Sequence, residues 1–509
     1  MPVERQLKLA TEDIERFAEA SGDRNPLHLD PEFAAGTAFG RPIVHGALIA
    51  IAMLGEIPDG ALGEIRSLRI SFSGALLQGT TATVHASAMD REAGAWEVRL
   101  TARGKTLARV LARAVEEPPK SAAGLDAAGD AVLDAMRATP AEPSASELHA
   151  GRELHGRYAT GPALEALALG FGAGALDRRL LEGLAWASYV VGMELPGLDS
   201  LFAGLTLGVG EREGERAGRQ SLLVVDHDER TGQLSIDGVL ASEHGHSVAH
   251  ATIQCFALAP AIAPDPAVFG LDRVAQNRGA VVVAGGSRGF GASLTLALLA
   301  LGYEVHVAYA SSQRRAQELA RLAGVHEQRL HLTQKDVGDP DAVQALADTV
   351  TAAGNPLVGV VLNAALPPLA MSLTARSATE LADYVAASLR LVSVPLGSLL
   401  PLMDAQRGWV LFCSSAALAD PPRDWPHYVA AKGAIEGLAR WVATTKPQLR
   451  TVIVRPPKMR TAMTGTPSGA IGAASADAIA LWTADRLTDG KLEPGLSTLE
   501  PGLLEQEAR

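Results

Sequence analysis

The sequence predicts a multidomain protein in which a duplicated α+β unit precedes an α/β unit built on a doubly wound parallel sheet. Three observations carry that prediction. Two proline-rich breaks, "EEPPKSAAGLDAAGDAVLDAMRATPAEPSAS" (116–146) and "LAPAIAPDPAVFG" (258–270), leave segments of roughly 115, 110 and 240 of the 509 residues. The first two segments share a faint repeat, and the third alternates short apolar strands with helices. The expected boundaries are a first domain over 1–116, a linker over 117–147, a second domain over 148–258, a linker over 259–270 and a third domain over 271–509.

The repeat pairs "HGALIAIAMLGEIPDG" (45–60) with "EGLAWASYVVGMELPG" (182–197), matching Gly46 to Gly183 and Gly55 to Gly192 at one offset. Each is a long apolar run followed by β-rich sequence. A helix apolar around its whole circumference must be buried, and strands wrapped around it would bury it. In the third segment "RGAVVVAGG", "EVHVAY", "LHLTQKDV" and "LVGVVLNAAL" read as buried strands separated by helical stretches, the pattern of a parallel sheet.

Composition narrows the function. With 47% apolar and 20% charged residues the chain reads as an ordinary soluble globular protein. A formal charge of −12 argues against nucleic acid or an anionic membrane as main partner, while leaving room for a local basic pocket. Cys255 and Cys413 lie in apolar runs and are expected as buried thiols, which suits a reducing compartment. The start, "MPVERQLKLATEDIERF", reads as an acidic amphipathic helix rather than a leader, and no charge-free apolar stretch of about 18 residues occurs. A cytoplasmic protein is expected.

The stretch "SGDRNPLHLD" (21–30) packs Asp23, Asn25, Pro26 and His28 into one bend, more than a turn needs. Downstream, "GRPIVHGALIA" places Gly46 at the entrance of the buried helix, where free N–H groups and the positive dipole end favour an anion. An aspartate, an imidazole and a helix N-terminus are what α,β-chemistry on a thioester needs: a base to move a proton through water, and an N–H for the enolate-like oxygen. The run "ASGDRNPLHLDPEFAAGTAFGRPIVHGALIA" resembles the signature of the MaoC-like (R)-specific enoyl-thioester hydratases, over about 30 residues, and so implies a hotdog fold. By that resemblance Asp23 and His28 polarise the water, Asn25 holds their geometry and the Gly46 N–H binds the thioester carbonyl.

The second segment resembles the partner half of a double hotdog but lacks the pair: Thr160 stands where Asp23 would repeat, and Glu182 where His45 would. It is expected to be non-catalytic, completing the fold and shaping the acyl tunnel, with Asp177 a helix-initiating acid. His244, His246 and His250 read as strand-surface residues, not a metal site.

In the third segment "VVVAGGSRGFG" sets Gly285, Gly289 and Gly291, with Ser287 and Arg288, between a strand and a helix, where a backbone approaches a pyrophosphate. Tyr428 and Lys432 lie four apart on one helix face, and Ser415 ends the strand "WVLFCSS" upstream. An ammonium beside a phenol eases proton transfer to or from an alkoxide. Together these residues resemble the short-chain dehydrogenase/reductase family over about 271–500, a Rossmann-type fold. The resemblance implies Tyr428 as proton donor, Lys432 on the ribose, Ser415 orienting the carbonyl, Asp336 at the adenine and Asn363 in the strand-end motif. Departures are Ala284 for the usual Thr, Leu362-Asn363-Ala364-Ala365 for Asn-Asn-Ala-Gly, Ser388 for the relay asparagine and Pro457 for a glycine. An NAD enzyme places an acid at the end of the second strand; here that position holds Tyr309, and Arg288, with Arg314, is expected to meet a 2′-phosphate, favouring NADPH.

The expected function is bifunctional: NADPH-dependent reduction of 3-oxoacyl thioesters and reversible dehydration of the (3R)-hydroxyacyl product to trans-2-enoyl thioesters. The thioester partner, on coenzyme A or a carrier protein, and a homo-oligomer stay open, and no metal is expected. The rival readings are a hydratase with a degenerate nucleotide-binding scaffold, and a non-catalytic acyl-binding or carrier-docking module.

Overall fold

The computed structural model describes residues 3–89, 94–115, 134–210, 214–258, 262–272, 275–311, 313–403, 408–467, 469 and 471–503. Most of the expected linker over 117–147 lies outside the described residues. The chain divides into two compact units, Met1–Ala34 with Arg41–Ala259, and Ala35–Gly40 with Pro260–Arg509.

Unit 1 begins with β1 (Val3–Lys8), α1 (Thr11–Ser21), α2 (Pro26–Leu29), α3 (Pro31–Ala35), α4 (Gly46–Leu54) and α5 (Asp59–Leu62). The strands β2 (Ser67–Phe72), β3 (Thr81–Ala88), β4 (Ala95–Ala102) and β5 (Lys105–Arg113) follow. Its second half runs β6 (Glu153–Arg157), α6 (Ala163–Gly170), α7 (Arg178–Tyr189), β7 (Ser200–Val209), β8 (Arg219–Asp228), β9 (Gln233–Ala241) and β10 (Ser247–Ala257). The start of the chain corrects the sequence expectation of one continuous helix. Leu7 and Leu9 point inward while Gln6 and Lys8 are exposed, a period of two, and Val3–Lys8 pairs with β3.

All ten strands form one antiparallel sheet in the order β1-β3-β4-β5-β2-β7-β10-β9-β8-β6. Read outward from the β2–β7 junction, each half repeats the same sequence of strands, which is the duplication the glycine pairs announced. At the junction Leu68 faces Leu207 and Ile70 faces Leu205. The sheet encloses α4 and α7. Ala47 through Leu54 are all buried on α4, as are Arg179 through Tyr189 on α7. An apolar α4 leaves no face for water, so burial is its only stable place.

Unit 2 carries β11 (Ala280–Ala284), α8 (Gly289–Ala300), β12 (Glu304–Tyr309), α9 (Gln313–Ala323), β13 (Leu330–Gln334), α10 (Pro340–Ala352) and β14 (Leu357–Leu362). It continues with α11 (Ala378–Leu399), β15 (Trp409–Cys413), α12 (Pro426–Thr445), β16 (Arg450–Val454), α13 (Ala476–Thr488) and β17 (Gly495–Leu499). The sheet order is β13-β12-β11-β14-β15-β16-β17, and every pair is parallel. Val281 and Val283 pack toward α8, α9 and α13, while Ala280, Val282 and Ala284 pack toward α10, α11 and α12. Both faces are covered, which is why "AVVVA" is apolar throughout.

The joint expected over 259–270 is only partly a linker. Asp265 caps the turn Pro266–Phe269, and Phe269 and Leu271 are buried in the unit 2 core. Both cysteines are free and buried. The stretch Ala378–Leu402 is long and apolar enough to cross a membrane by length and composition. In this fold its Val392, Leu396 and Leu399 enter the core of unit 2.

Ile51 is wholly buried on α4. Ile51→Ala is expected to destabilise unit 1 by about 2–5 kcal/mol. Denaturation followed through the buried Trp186 would read this as a lower midpoint; an unmoved midpoint would contradict the packing described.

Candidate active sites

In unit 1 the site is built on the bend between α1 and α2. The Ser21 hydroxyl donates to the Phe17 carbonyl and accepts from the Asp23 N–H, which ends α1 with Asp23 turned into the interior, 2% exposed. Asn25 caps α2 by accepting from the Leu27 N–H. Its Nδ2 donates toward the carbonyls of Gly192, Gly197 and Leu198 at 3.0–3.2 Å, so one of its two hydrogens is shared. The resemblance to the hydratases made Asn25 a holder of geometry; here it ties the bend to the second half of the unit.

His28 Nδ1 donates to the Ile43 carbonyl at 2.9 Å. A carbonyl only accepts, so the proton sits on Nδ1 and the Nε2 lone pair is free for proton transfer. His45 stacks on His28, ring centroids 3.7 Å apart, and its Nε2 donates to the Asp23 carbonyl at 3.2 Å. One side-chain ligand atom from each of Asp23, His28 and His45 falls within 4.8 Å of the others. The predicted pair is thus brought together, with His45 as a third member. Gly46 starts α4, where its N–H has no acceptor within the helix. The Phe72 ring lies against Gly46, with Phe202 of the second half 5.2 Å from Phe72.

Sequence reasoning missed the contribution of the second half, read as non-catalytic. Ser188 on α7, 3% exposed, donates to Asp23 Oδ2 at 2.6 Å. Beyond α7 the chain makes a π-helical turn, Val190–Glu194, that carries Gly192. A Cβ on Gly192 would stand 2.1 Å from Asp23 Oδ1, so only glycine fits. Tyr158 donates to the Ser21 carbonyl at 3.1 Å. The glycine repeat was the one signal that these segments meet. Glu182, which stands where His45 would repeat, accepts from the Ala217 N–H, and Asp177 caps α7, ion-paired to Arg179. Among the described residues His244, His246 and His250 join no cluster of three ligand-type groups.

In unit 2 the glycine loop is tightly drawn. A Cβ on Gly291 would lie 2.2 Å from the Gly285 carbonyl oxygen, and Asn363 Nδ2 donates to that same oxygen at 2.7 Å. Ser287 is buried, Arg288 precedes α8 and Gly289 starts it. Lys432 is 6% exposed; its Nζ donates to the Cys413 carbonyl at 2.7 Å and lies 5.5 Å from the centre of the Tyr428 ring. That bond fixes α12 to the end of β15, two residues before Ser415, whose Oγ accepts from the Ala417 N–H. Asp336, after β13, is exposed and accepts from the Gly338 N–H. Ser388 is buried on α11. Tyr384, one turn before it, is pushed up by burial and by nearby Tyr428.

One expectation needs correcting. The neighbour of Arg288 is Arg315, not Arg314. Burial, then Arg315, lowers the Arg288 guanidinium, and both line a cleft with Ser287, Gly289 and Glu318. On α9 Arg315 is half-buried, whereas Arg314 faces solvent.

Residues 1–109 match the family described as MaoC like domain, and residues 279–469 match that described as short chain dehydrogenase. The (R)-specific enoyl-CoA hydratase of Aeromonas caviae is 54% identical over 52 residues, covering 10% of this chain and 35% of that protein. Peroxisomal multifunctional enzyme type 2 of Drosophila melanogaster is 33% identical over 78 residues, 14% of this chain and 13% of that one. A short-chain type dehydrogenase/reductase of Picea abies is 28% identical over 176 residues, 32% of this chain and 63% of that one. The chain therefore spans about a third or less of the hydratase relatives and just under two thirds of the dehydrogenase. A solved short-chain dehydrogenase/reductase of Serratia marcescens aligns at a TM-score of 0.40 and 22% identity, over 44% of this chain and 98% of that one.

The buried site sets a pH dependence. Burial holds both imidazoles below their ordinary value, with His28 lowering His45 further and Asp23 opposing the shift of His28. Burial raises Asp23 against the pull of His28, the Ser188 hydroxyl and the Asn25 N–H. A depressed histidine stabilises the fold above its unfolded value, near about 6.5, and that contribution is lost as pH falls. Asp23 works oppositely: its contribution is present at low pH and lost as pH rises through its folded value. Unit 1 is expected to melt at lower temperature as pH falls from about 7.5 to about 5.5, the window of the imidazoles. His45→Gln should flatten that slope; melting curves of unchanged slope would contradict the assignment.

Proposed function

For a chain that carries a MaoC-like domain followed by a short-chain dehydrogenase domain, we propose a bifunctional acyl-thioester enzyme. Unit 2 reduces 3-oxoacyl thioesters with NADPH to (3R)-hydroxyacyl thioesters, and unit 1 dehydrates these reversibly to trans-2-enoyl thioesters. The observation that carries the reading is the approach of the buried Asp23 and the half-buried His28 to within 4.8 Å on one bend, with a helix N-terminus opening at Gly46. In hydration the pair takes hydrogen bonds from one water. The water oxygen bonds to C3, one water proton passes to the pair, and a proton passes from the pair to C2, so the pair ends unchanged. The Gly46 N–H stabilises the charge that gathers on the thioester oxygen. Ser188 keeps Asp23 oriented, and Phe72 with Phe202 offers the acyl chain an apolar wall. The names of relatives, (R)-specific enoyl-CoA hydratase among them, support a coenzyme A thioester.

The loop of unit 2 fits a dinucleotide. Gly285 and Gly291 leave no room for a Cβ, and the half-buried Arg288 keeps one Nη without a partner. Arg288 and Arg315 would hold a 2′-phosphate, with Ser287 and Gly289 beside the rest of the pyrophosphate side. The bound nicotinamide would supply the hydride. Tyr428 delivers the proton to the carbonyl oxygen, Lys432 favours its ionised form, and Ser415 donates to the same oxygen. A 3-hydroxyacyl thioester is the one species both sites share, so reduction feeds dehydration.

Asp23→Asn should lower enoyl hydration by about 10²–10⁴-fold without touching dinucleotide binding. Given a 3-oxoacyl thioester and NADPH, that variant should accumulate (3R)-hydroxyacyl thioester. A 3S product would break the coupling, and no NADPH consumption would leave unit 2 a scaffold. NADPH is expected to bind at least about tenfold tighter than NADH, about 1.4 kcal/mol. Arg288→Ala and Arg315→Ala should each erode that preference; equal fluorescence titrations for both dinucleotides would refute it.

A further inference from the structure

Unit 2 holds a second grouping of histidines and a carboxylate that the proposed reaction does not use. Glu304 and His306 are two apart on β12 and so share one face of the strand, and His331 on β13 stands directly opposite His306 in register. Glu304 Oε1 lies 3.2 Å from His306 Nε2 and 2.9 Å from His331 Nε2. The two rings stack at 4.5 Å with 19° between their planes. One ligand-type atom from each residue lies within 4.8 Å of the other two.

His306 is 1% exposed, and neither of its ring nitrogens makes a hydrogen bond. The approach of Glu304 to His306 is not aligned as a hydrogen bond, so the His306 ring stays unsatisfied while Glu304 has His331 and Asn355 beside it. A buried polar group left so costs about 1–3 kcal/mol, and a valine would serve the sheet better at that position. The remaining oxygen of Glu304 accepts from Asn355 Nδ2, and Asn277 in turn donates to Asn355 Oδ1 at 3.2 Å. The carboxylate is therefore oriented from behind, as the outer partners of metal ligands orient them.

We propose that Glu304, His306 and His331 bind one divalent transition ion of the zinc class. Ligand atoms on a tetrahedral zinc, at about 2.0–2.1 Å from the metal, stand about 3.3–3.4 Å apart, against 3.2 and 2.9 Å from Glu304 Oε1 to the two imidazoles here. His331 is 41% exposed on its side chain, so water fills the fourth position from that side. The ion would clip β13, which ends the sheet, to β12. Its place at the start of β12, opposite the end that leads to Tyr309, makes the role structural.

The test uses the tag-free full chain, stripped with EDTA and dialysed, titrated with ZnCl₂ by calorimetry and with Co²⁺ by visible absorption. One zinc site of micromolar affinity or tighter is expected, together with a higher melting temperature on zinc addition. His331→Ala and Glu304→Gln should each weaken binding by about tenfold or more and abolish the thermal shift. Asp23→Asn, in the other histidine–carboxylate grouping, should leave this site unchanged. His331 is partly exposed and Glu304→Gln keeps its size, and circular dichroism would verify that both variants fold. No saturable zinc binding to the wild-type chain below about 1 mM, an affinity of about 4 kcal/mol, would overturn the proposal. Zinc binding undiminished in both variants would overturn it equally.

Discussion

A carboxylate that is almost wholly out of water must be held by something, and the rest of unit 1 is arranged around what holds Asp23. Its oxygens take a hydroxyl from Ser188 and an N–H from Asn25, and a glycine at position 192 makes room for them. A hydrogen bond to a charged group contributes about 1.5–3 kcal/mol, and removing the partner of a buried charge costs more than the bond was worth. Because Ser188 and Gly192 belong to the second half, the first half supplies only part of what surrounds the Asp23 carboxyl. The continuous sheet across β2 and β7, and the packing of α4 beside α7, are what bring hydroxyl and carboxylate to 2.6 Å. Duplication here is a condition of the site, not ornament around it.

That dependence also explains what a reader of the chain can and cannot extract. Asp23, Asn25 and His28 were legible because six residues in one bend carry their own local geometry. The apolar runs of α4 and α7 were legible because a helix without a polar face admits only burial. Ser188 was not. Within "LAWASYVV" a serine is indistinguishable from a small core residue, and its meaning arises from a contact 165 residues away in sequence. Val3–Lys8 was misread because its two-residue alternation is short and runs straight into a true amphipathic helix; pairing with β3 decided it. Arg315 was taken for Arg314 for a similar reason: adjacent residues on a helix point about 100° apart, and only the packing of α9 says which faces the glycine loop. Phe269 and Leu271 sat in a proline-rich stretch whose composition says linker, yet two apolar side chains sufficed to dock its end.

In unit 2 the electrostatics are arranged differently. Glu436 is buried but fully paired: it accepts from Ser414 and takes both ends of the Arg455 guanidinium at 2.8 Å. Hydrogen bonds from Arg455 hold it below the ordinary carboxylate value despite burial. That network ties β15, α12 and β16 together behind Tyr428 and Lys432. Arg288 and Arg315 are arranged less completely: Arg315 is ion-paired to Glu318 at 2.8 Å, while Arg288 lies beside that charge with one Nη unpartnered. Such an arrangement is unfavourable in the protein alone and becomes favourable with an anion between the two charges. The contrast separates a carboxylate whose partners are all supplied by the fold from a guanidinium that keeps a donor free for an anion.

On the proposed reading one half of unit 1 carries the site and its copy does not, and the two central helices differ at their N-termini accordingly. Both α4 and α7 present a helix N-terminus near the middle of the sheet, and each such end favours a negative charge. On α7 the chain fills that place itself: Asp177 accepts from the Arg179 N–H and is ion-paired to Arg179, which holds it below the ordinary carboxylate value. On α4 the residue before the first turn is His45, whose side chain makes no capping bond and instead donates back to the Asp23 carbonyl. The α4 terminus is left without an anion of its own. In the copy Thr160 stands in place of Asp23, and Glu182 accepts from the Ala217 N–H. On the proposed reading, substrate charge takes at α4 the place that an aspartate takes at α7, and the duplicated unit carries one site because only one of its two helix ends was left uncapped.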